Sequence, residues 1–251
     1  MLSKKPFFTV RRENMINKYF VEFIIFSFLG WVWETIYCTI CNKKWENRGF
    51  LFGTVCPIYG VGSIAAFIML DIIKLNNLPA LTWWQIFLIG LLGSAVLEYS
   101  TSLLLEKLFH AYWWDYSNMP FNINGRICVP ASIGFALVGL LIVFVIYPFF
   151  EYVSTLIMPI FIDIAAFIFL ILFTVDMTLT ISSLTDIQRK IEAIDDNINL
   201  HMGDIVENIY VNSTNLSKKA IARISGVRFK KSTHTTLYKK LIEKIQKHNI
   251  K

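Results

Sequence analysis

The chain has 251 residues, of which 55% are hydrophobic, 15% aromatic and 17% charged. A soluble domain of this length carries more charge and fewer aromatic residues, so the composition excludes an ordinary soluble globular protein. The formal net charge is +6, and the excess of basic residues lies in the last part of the chain, residues 184–251.

Five continuous apolar runs follow a polar N-terminal arm, residues 1–18. A helix needs roughly 20 apolar residues to cross the hydrocarbon layer, at a rise of about 1.5 Å per residue. Because the runs are continuous and do not alternate, they favour helices over a β-barrel. The sequence predicts an all-α, polytopic membrane helix bundle with five spans, at residues 19–41, 57–73, 83–105, 129–149 and 156–181.

The spans divide the chain into segments with different expected roles. We expect a four-helix membrane unit over residues 19–150 and a fifth membrane helix over 151–183. After it, apolar residues recur at alternating spacings of three and four, which is typical of a heptad pattern. This predicts an amphipathic or coiled-coil helix over 184–212, followed by a basic tail over 213–251. The pattern consists of Leu184, Ile187, Ile191, Ile194, Ile198, His201 and Ile205.

The heptad pattern leaves two interpretations open. The helix either pairs with a second copy, giving a homodimer through residues 184–205, or lies on the bilayer or on the bundle itself. The basic tail would face lipids or a partner, since anionic membrane surfaces attract such segments. No nucleic-acid partner is expected.

Basic residues near the spans divide almost evenly between the two faces, so the positive-inside rule nearly ties. We expect a multi-pass protein of the cell membrane with a cytoplasmic C-terminus. This terminus would share its face with the first connector, residues 42–56, and the third connector, residues 106–128.

Four acidic residues lie inside or near the ends of apolar runs, where an ionised side chain costs several kcal/mol unless it is paired or solvated. They are Glu34, Glu98, Asp163 and Asp176. Glu34 and Glu98 each lie fifteen residues into parallel spans, so both should reach the same depth near the first and third connectors. Asp176 approaches the same face, whereas Asp163 lies nearer the opposite one. Alternatively, these acids have only a structural role, as protonated side chains in hydrogen bonds between helices.

The first and third connectors bring complementary groups to that face. Arg48 and Arg126 are candidate counter-charges for Glu34, Glu98 or Asp115, and Gly125 allows a turn with positive φ just before Arg126. Trp113 and Trp114 suit either an interfacial aromatic belt or the walls of a ligand site. We therefore expect Glu34, Glu98 and Arg126 in one polar pocket, with Arg48 and Asp115 at its rim.

Few other residues suggest a metal site or a catalytic site. Cys38 and Cys41 form a C-x-x-C pair that could join Cys56 and Cys128 in a metal site, but cysteines within apolar helices usually serve as small apolar residues. The chain has no phosphate-binding loop of the G-x-x-x-x-G-K-[ST] type and no hydrolase signature. We expect neither a metal nor a cofactor, and no catalytic residue can be assigned.

Several stretches resemble the bacterial family called putative ABC-transporter type IV. They are residues 26–37 (FSFLGWVWETIY), 47–53 (NRGFLFG), 56–60 (CPIYG), 97–99 (LEY), 113–117 (WWDYS) and 124–128 (NGRIC). The resemblance covers about residues 19–150 and implies an integral membrane, permease-like protein. Its motif positions in this chain are Glu34, Arg48, Glu98, Trp114, Asp115, Asn124 and Arg126.

Three functions remain open at this point. The chain could be a permease-like transporter subunit, driven by a separate ATPase subunit or an ion gradient. It could instead be a membrane-embedded enzyme or a lipid-binding protein that uses the same polar cluster on a lipid head group. The third alternative is a membrane scaffold that presents its C-terminal helix.

Overall fold

The computed structural model describes residues 7–43, 45, 49–192, 202–224, 226–227 and 232–248. Over these residues the chain is a helical bundle with two very small antiparallel sheets. Five helical stretches are long and apolar enough to cross a membrane, which confirms the predicted fold class and the number of spans. They are Met15–Ile40, Pro57–Leu75, Trp83–Phe109, Val129–Leu156 and Pro159–Glu192.

Six helices build the bundle. They are α1 (Phe7–Asn42), α2 (Pro57–Leu75), α3 (Trp83–Phe109), α4 (Val129–Leu141), α5 (Tyr147–Leu156) and α6 (Pro159–Glu192). A π-helical turn at Ile142–Ile146 joins α4 to α5, so these two helices form a single span. Four strands of two residues each lie outside the helices. Three are in the third connector, β1 (Ala111–Tyr112), β2 (Asn122–Ile123) and β3 (Ile127–Cys128), and the fourth, β4 (Gly226–Val227), is near the end of the chain.

The helices begin where the sequence supplies recognisable start signals. Proline lies in the first turn of α2 and of α4, where the missing amide costs no helical hydrogen bond. Helix α3 begins with a capping box, in which the Thr82 amide donates to Gln85 over 2.8 Å. It ends at His110, whose left-handed backbone (φ 52°) turns the chain into the third connector.

The boundary between the fourth and fifth spans differs from the expectation. We expected the fourth span to end at residue 149 and the segment of the fifth helix, with its span at 156–181, to begin at 151, but the fourth span continues to Leu156. The chain leaves the helical conformation at Ile157, and the next helix starts at Pro159. Proline disfavours a helical conformation in the residue before it, which explains why the break lies there.

Close packing of α1 against α2 depends on two glycines. A Cβ added to Gly30 would lie 2.2 Å from the Tyr59 ring, and one added to Gly60 would lie 2.2 Å from the Ser27 hydroxyl oxygen. Neither position has room for a side chain. The two helices can therefore approach closely without a hydrophobic driving force, as small residues permit in lipid.

The last fifth of the chain is a folded unit. It contains α7 (Met202–Val211), α8 (Asn215–Ile221), β4 and α9 (Ser232–His248), which we call the C-terminal unit. Strand β4 pairs antiparallel with β1 of the third connector, with Ala111 opposite Val227. One hydrophobic core joins this unit to the end of α6 and to the third connector. The first and third connectors and the C-terminal unit thus lie at one end of the bundle, which we call the connector end.

The tail and the heptad helix differ from their expected forms. Much of the predicted basic tail, residues 213–251, is helical, because α8 and α9 bury apolar residues such as Ile221, Leu237 and Leu241 against α6.

Helix α6 can be followed to Glu192; Ile194, Ile198 and His201 lie outside the described residues. The first three heptad positions, Leu184, Ile187 and Ile191, are buried within the chain itself. They therefore offer a second copy no apolar surface for pairing.

A cysteine at position 191 should test this arrangement. In a chain whose four native cysteines are replaced by alanine, Ile191→Cys should not cross-link two copies under oxidation, because the side chain at 191 is 0% exposed. Val211→Cys is the control, since Val211 is 63% exposed on α7 of the C-terminal unit. It should react readily with a maleimide that Ile191→Cys resists. Disulfide-linked dimers through position 191 would instead support pairing between copies.

Candidate functional site

A cavity of about 120 Å³ lies at the connector end of the bundle. Its walls come from α1, α2, α3, both connectors and the C-terminal unit, so parts of the chain more than 180 residues apart contribute to one site. The lining residues are Glu34, Gly49, Phe50, Cys56, Pro57, Ile58, Thr101, Leu105, Trp113, Trp114 and Arg223.

Glu34 forms the acidic part of this wall. Its Oε2 accepts a hydrogen bond from the Cys56 thiol over 3.6 Å, within the range for a sulfur donor. Burial raises the pKa of the Cys56 thiol, and the nearby Glu34 carboxylate raises it further. The thiol therefore keeps its proton and serves as a donor to Glu34.

Glu98 is buried on α3 and accepts a hydrogen bond from the Tyr116 hydroxyl over 3.2 Å. Tyr116 belongs to the third connector, outside the spans. Burial raises the pKa of its hydroxyl, Glu98 raises it next, and Glu34 contributes as well. Both acids that we expected at equal depth are thus close enough to Tyr116 to affect its ionisation.

Arg126 has a different partner from the one expected. Its Nη2 lies 2.7 Å from Glu106 Oε2, and its Nη1 donates to the Ser102 hydroxyl over 3.4 Å. The guanidinium also lies 5.5 Å from the centre of the Tyr99 ring. Glu106 is on the same helix as Glu98 but two turns closer to the connector. Arg126 therefore forms its ion pair with Glu106, and not with Glu34 or Glu98 as we expected.

Asp115 and Asn124 shape the third connector and are not part of the cavity lining. Asp115 Oδ1 accepts hydrogen bonds from the amide and the hydroxyl of Ser117. Asn124 and Gly125 both have positive φ, at the turn between β2 and β3, and Asn124 Nδ2 donates to the Tyr99 hydroxyl over 3.2 Å. A Cβ on Gly125 would lie 2.7 Å from Asp115 Oδ1, so the turn requires glycine there.

Trp113 and Trp114 are walls of the cavity and not an exposed belt. Trp113 is buried, with its ring 5.3 Å from that of Phe50 and 6.2 Å from that of Phe109. Trp114 is half-buried, and its indole nitrogen donates to the Arg126 carbonyl over 2.9 Å. Both tryptophan side chains thus line the cavity, and a role for them in binding a ligand stays a prediction.

Asp176 anchors the first connector to α6. Its two carboxylate oxygens accept hydrogen bonds from the amides of Phe52 (3.0 Å) and Gly53 (2.9 Å). The Thr180 hydroxyl, one turn further along α6, also accepts from the Phe52 amide. Asp176 thus lies near the connector end, as expected. Its carboxylate holds the first connector, and it is not among the residues that line the cavity.

Arg223 is the residue that the sequence did not reveal. Its Nη2 donates to the Phe52 carbonyl over 3.0 Å, and the guanidinium lies 5.9 Å from the centre of the Phe52 ring. Burial lowers the pKa of Arg223, and the negative charge of Asp176 opposes that effect. In the sequence it is one basic residue among many in the expected tail. Arg48, the arginine that we expected at this rim, lies outside the described residues.

A second polar cluster lies at the opposite end of the bundle. Lys18 and Lys74 both form ion pairs with Glu151, at 2.7 and 2.8 Å. Asp71 accepts hydrogen bonds from the hydroxyls of Tyr19 and Tyr147. Asp163 accepts one from the Asn17 amide over 2.8 Å, which places Asp163 away from the connector end, as expected.

No metal site is found within the described residues, where no group of three or more histidine, cysteine or acidic side chains is close enough to hold an ion. Cys38, Cys56 and Cys128 are not in disulfides. Among these three cysteines, Cys56 lines the cavity.

Comparison with known proteins gives a family match. The family described as putative ABC-transporter type IV matches residues 21–181, which is well over half of the chain and extends from within the first span to within the fifth. No curated protein and no solved structure matches. The match ends before the C-terminal unit, so Arg223 lies outside it. Five apolar helices and this match show a multi-pass, transporter-related membrane protein: the chain belongs to the putative ABC-transporter type IV family.

Proposed function

We propose that the chain is a permease-like subunit of a transporter in the cell membrane, and that the cavity at the connector end is its solute site. The observation that carries this proposal is the position of Glu34, a carboxylate from within a membrane span, in the wall of a cavity lined by two tryptophans. Acids in membrane spans mark substrate or ion pathways more often than structural positions.

The neighbouring groups support this role. Glu98 and Tyr116 form a second acid and hydroxyl pair beside the cavity, in contact with α3 and the third connector. A pathway that crosses the spans needs such buried polar groups in sequence. The cavity is built partly from the first and third connectors, so a movement of either connector would alter access to it.

The proposal includes a partner and an orientation. The chain lacks a phosphate-binding loop motif, so energy from ATP would require a separate ATPase subunit. We place the connector end and the C-terminal unit in the cytoplasm, where such a subunit would be available. Membrane lipids surround the spans.

Replacing Glu34 or Glu98 by glutamine should abolish transport with little effect on folding, because glutamine keeps the shape and one hydrogen bond. A charge-assisted hydrogen bond is worth about 1.5–3 kcal/mol, or about 10–100-fold in solute binding. The measurement is metabolite profiling of cells and medium, in a native host that lacks the chain and is complemented with each variant. Asp186→Asn is the control, since Asp186 lies outside the cavity on α6.

The pattern of metabolite changes distinguishes a transporter subunit from an enzyme. A transporter subunit gives opposite changes of one solute in cells and medium, whereas an enzyme depletes one compound and accumulates another. If the two variants and the complete chain give the same profile, the cavity acids have no transport role.

A further inference from the structure

We propose that Glu22 is a proton-binding site, which takes up and releases a proton exchanged with water at the end of the bundle opposite the connector end. The residue lies on α1, one helical turn inside Lys18, in the polar cluster that includes Asp71 and Glu151. Glu22 does not line the cavity at the connector end. The inference therefore goes beyond the proposed function and does not depend on it.

Glu22 is buried and incompletely paired. It is 4% exposed and lies within the first span. Its Oε2 has no hydrogen-bond partner in the part of the chain that the structure describes. Its Oε1 is 3.9 Å from the Lys18 ammonium, which is too long for a hydrogen bond. An ionised carboxylate is costly in such a place, whereas a carboxyl that holds a proton is neutral.

The charges next to Glu22 are balanced without it. Lys18 and Lys74 both form ion pairs with Glu151, at 2.7 and 2.8 Å. Asp71 accepts hydrogen bonds from two tyrosine hydroxyls, which stabilise its ionised form. Among these described side chains, two ammonium groups thus face two carboxylates. An ionised Glu22 would add an unbalanced negative charge, which a bound proton removes.

Four helices supply the titratable and charged groups around this site. They are Lys18 and Tyr19 on α1, Asp71 and Lys74 on α2, Tyr147 and Glu151 on α5, and Asp163 on α6. Asp71 and Glu151 repel an ionised Glu22, whereas Lys18 attracts it. Because Lys18 is shared with Glu151, this attraction is only partly available to Glu22.

Water reaches the site through a second cavity. This cavity has a volume of about 220 Å³ and lies where α1 meets the break between α5 and α6, with Lys18, Ser154 and Asp163 in its wall. One water molecule needs only about 10–15 Å³ of such space, so several fit. The Lys18 side chain is 24% exposed and connects this cavity to Glu22. A short route thus leads from water to the buried carboxyl.

The step is a proton transfer without other chemistry. A proton from water in the second cavity forms an O–H bond with a carboxylate oxygen of Glu22, and the charge of the cluster rises by one. On release this bond breaks and the proton returns to water. Lys18 responds to the change, because an ionised Glu22 attracts its ammonium away from Glu151. The observed position of Lys18, closer to Glu151 than to Glu22, is the one expected of the protonated form.

The test is infrared difference spectroscopy of the full chain in lipid membranes, recorded between alkaline and acidic pH. The C=O stretch of protonated Glu22 should appear on acidification and shift in D₂O, because its proton exchanges with water. Its frequency should be higher than that of solvated carboxyls, since Oε2 has no hydrogen-bond partner in the described structure. Glu22→Gln should lose this band. Asp186→Asn is the control and should keep it, because Asp186 is an exposed acid on α6.

A high-frequency band that survives in Glu22→Gln would overturn the proposal, and so would a Glu22 band that does not change with pH. Glu22→Asp keeps the carboxyl on a shorter side chain and should keep a band at an altered frequency, so the test remains decisive if Glu22→Gln folds poorly. In Lys18→Met the band should persist to higher pH, because the carboxylate loses its counter-charge. If the pH range is unchanged in folded Lys18→Met, the titrating acid is not beside Lys18 and the proposal fails.

Discussion

Ile187→Asp should unfold the C-terminal unit while leaving the membrane bundle assembled. Ile187 is 0% exposed, in the core that joins α6 to α8 and α9. Removing such a side chain costs about 2–5 kcal/mol, and burying an unpaired carboxylate adds to that loss. A small helical unit has little more stability than this. The unfolded state of the C-terminal unit should therefore become more stable than its folded state.

Limited trypsin digestion of the purified protein in detergent measures the effect. Cleavage at Lys218 and Lys239 should be slow in the original chain, since both lie in helices of the C-terminal unit, and rapid in Ile187→Asp. Val211→Asp is the matched control, because it places the same charge on the exposed surface of that unit. If the two variants are digested equally slowly, the core does not depend on Ile187.

The helical membrane architecture could be predicted from the sequence because it depends on local properties. A continuous apolar run of spanning length has only one satisfactory backbone conformation in lipid, since every amide must find its partner within the segment. The depth of Glu34 and Glu98 followed from the same regularity, because position along a helix is proportional to residue number. Both acids contribute to the raised pKa of Tyr116, whereas their equal depth stays a prediction.

The arrangement of the connector end could not be predicted in the same way. Arg223 donates to the carbonyl of Phe52, a residue 171 positions earlier, and no periodic pattern connects the two. Arg126 had several acids within plausible reach, and its choice of Glu106 depends on the turn at Asn124 and Gly125. Pairings of this kind are decided by loop geometry and tertiary packing, which a single sequence does not specify.

The basic tail was misinterpreted for a related reason. Residues 213–251 are rich in lysine and arginine, which is typical of a solvated or lipid-facing segment. Yet Leu237, Leu241 and Ile245 recur at spacings of four on α9 and are all buried. This apolar stripe is narrow, and it becomes part of a core only by packing with apolar residues of other elements, among them Ile187 and Ile191 on α6 and Val206 on α7. The heptad pattern was real, but its partner lies within the same chain.

Glu106→Ala should be among the most destabilising single changes in the bundle. The Arg126 and Glu106 side chains are 11% and 20% exposed, and their 2.7 Å contact is the ion pair that holds the third connector to α3. Removing one member of a largely buried pair leaves an uncompensated charge, at a cost of about 3–5 kcal/mol. The expected result is a large drop in the unfolding temperature in detergent, followed by tryptophan fluorescence. Trp113 and Trp114 report directly on this connector.

Two further variants separate the charge effect from the loss of packing. The double variant Glu106→Ala with Arg126→Met should lose less stability than Glu106→Ala alone, because no buried charge remains without a partner. Asp186→Ala removes one member of an exposed pair with Lys190, four residues apart on α6, and should cost only about 0.3–0.5 kcal/mol. If Glu106→Ala matches Asp186→Ala, the Arg126 pair contributes no more than a surface contact. The third connector would then be held mainly by β1, β4 and the aromatic packing around Trp113.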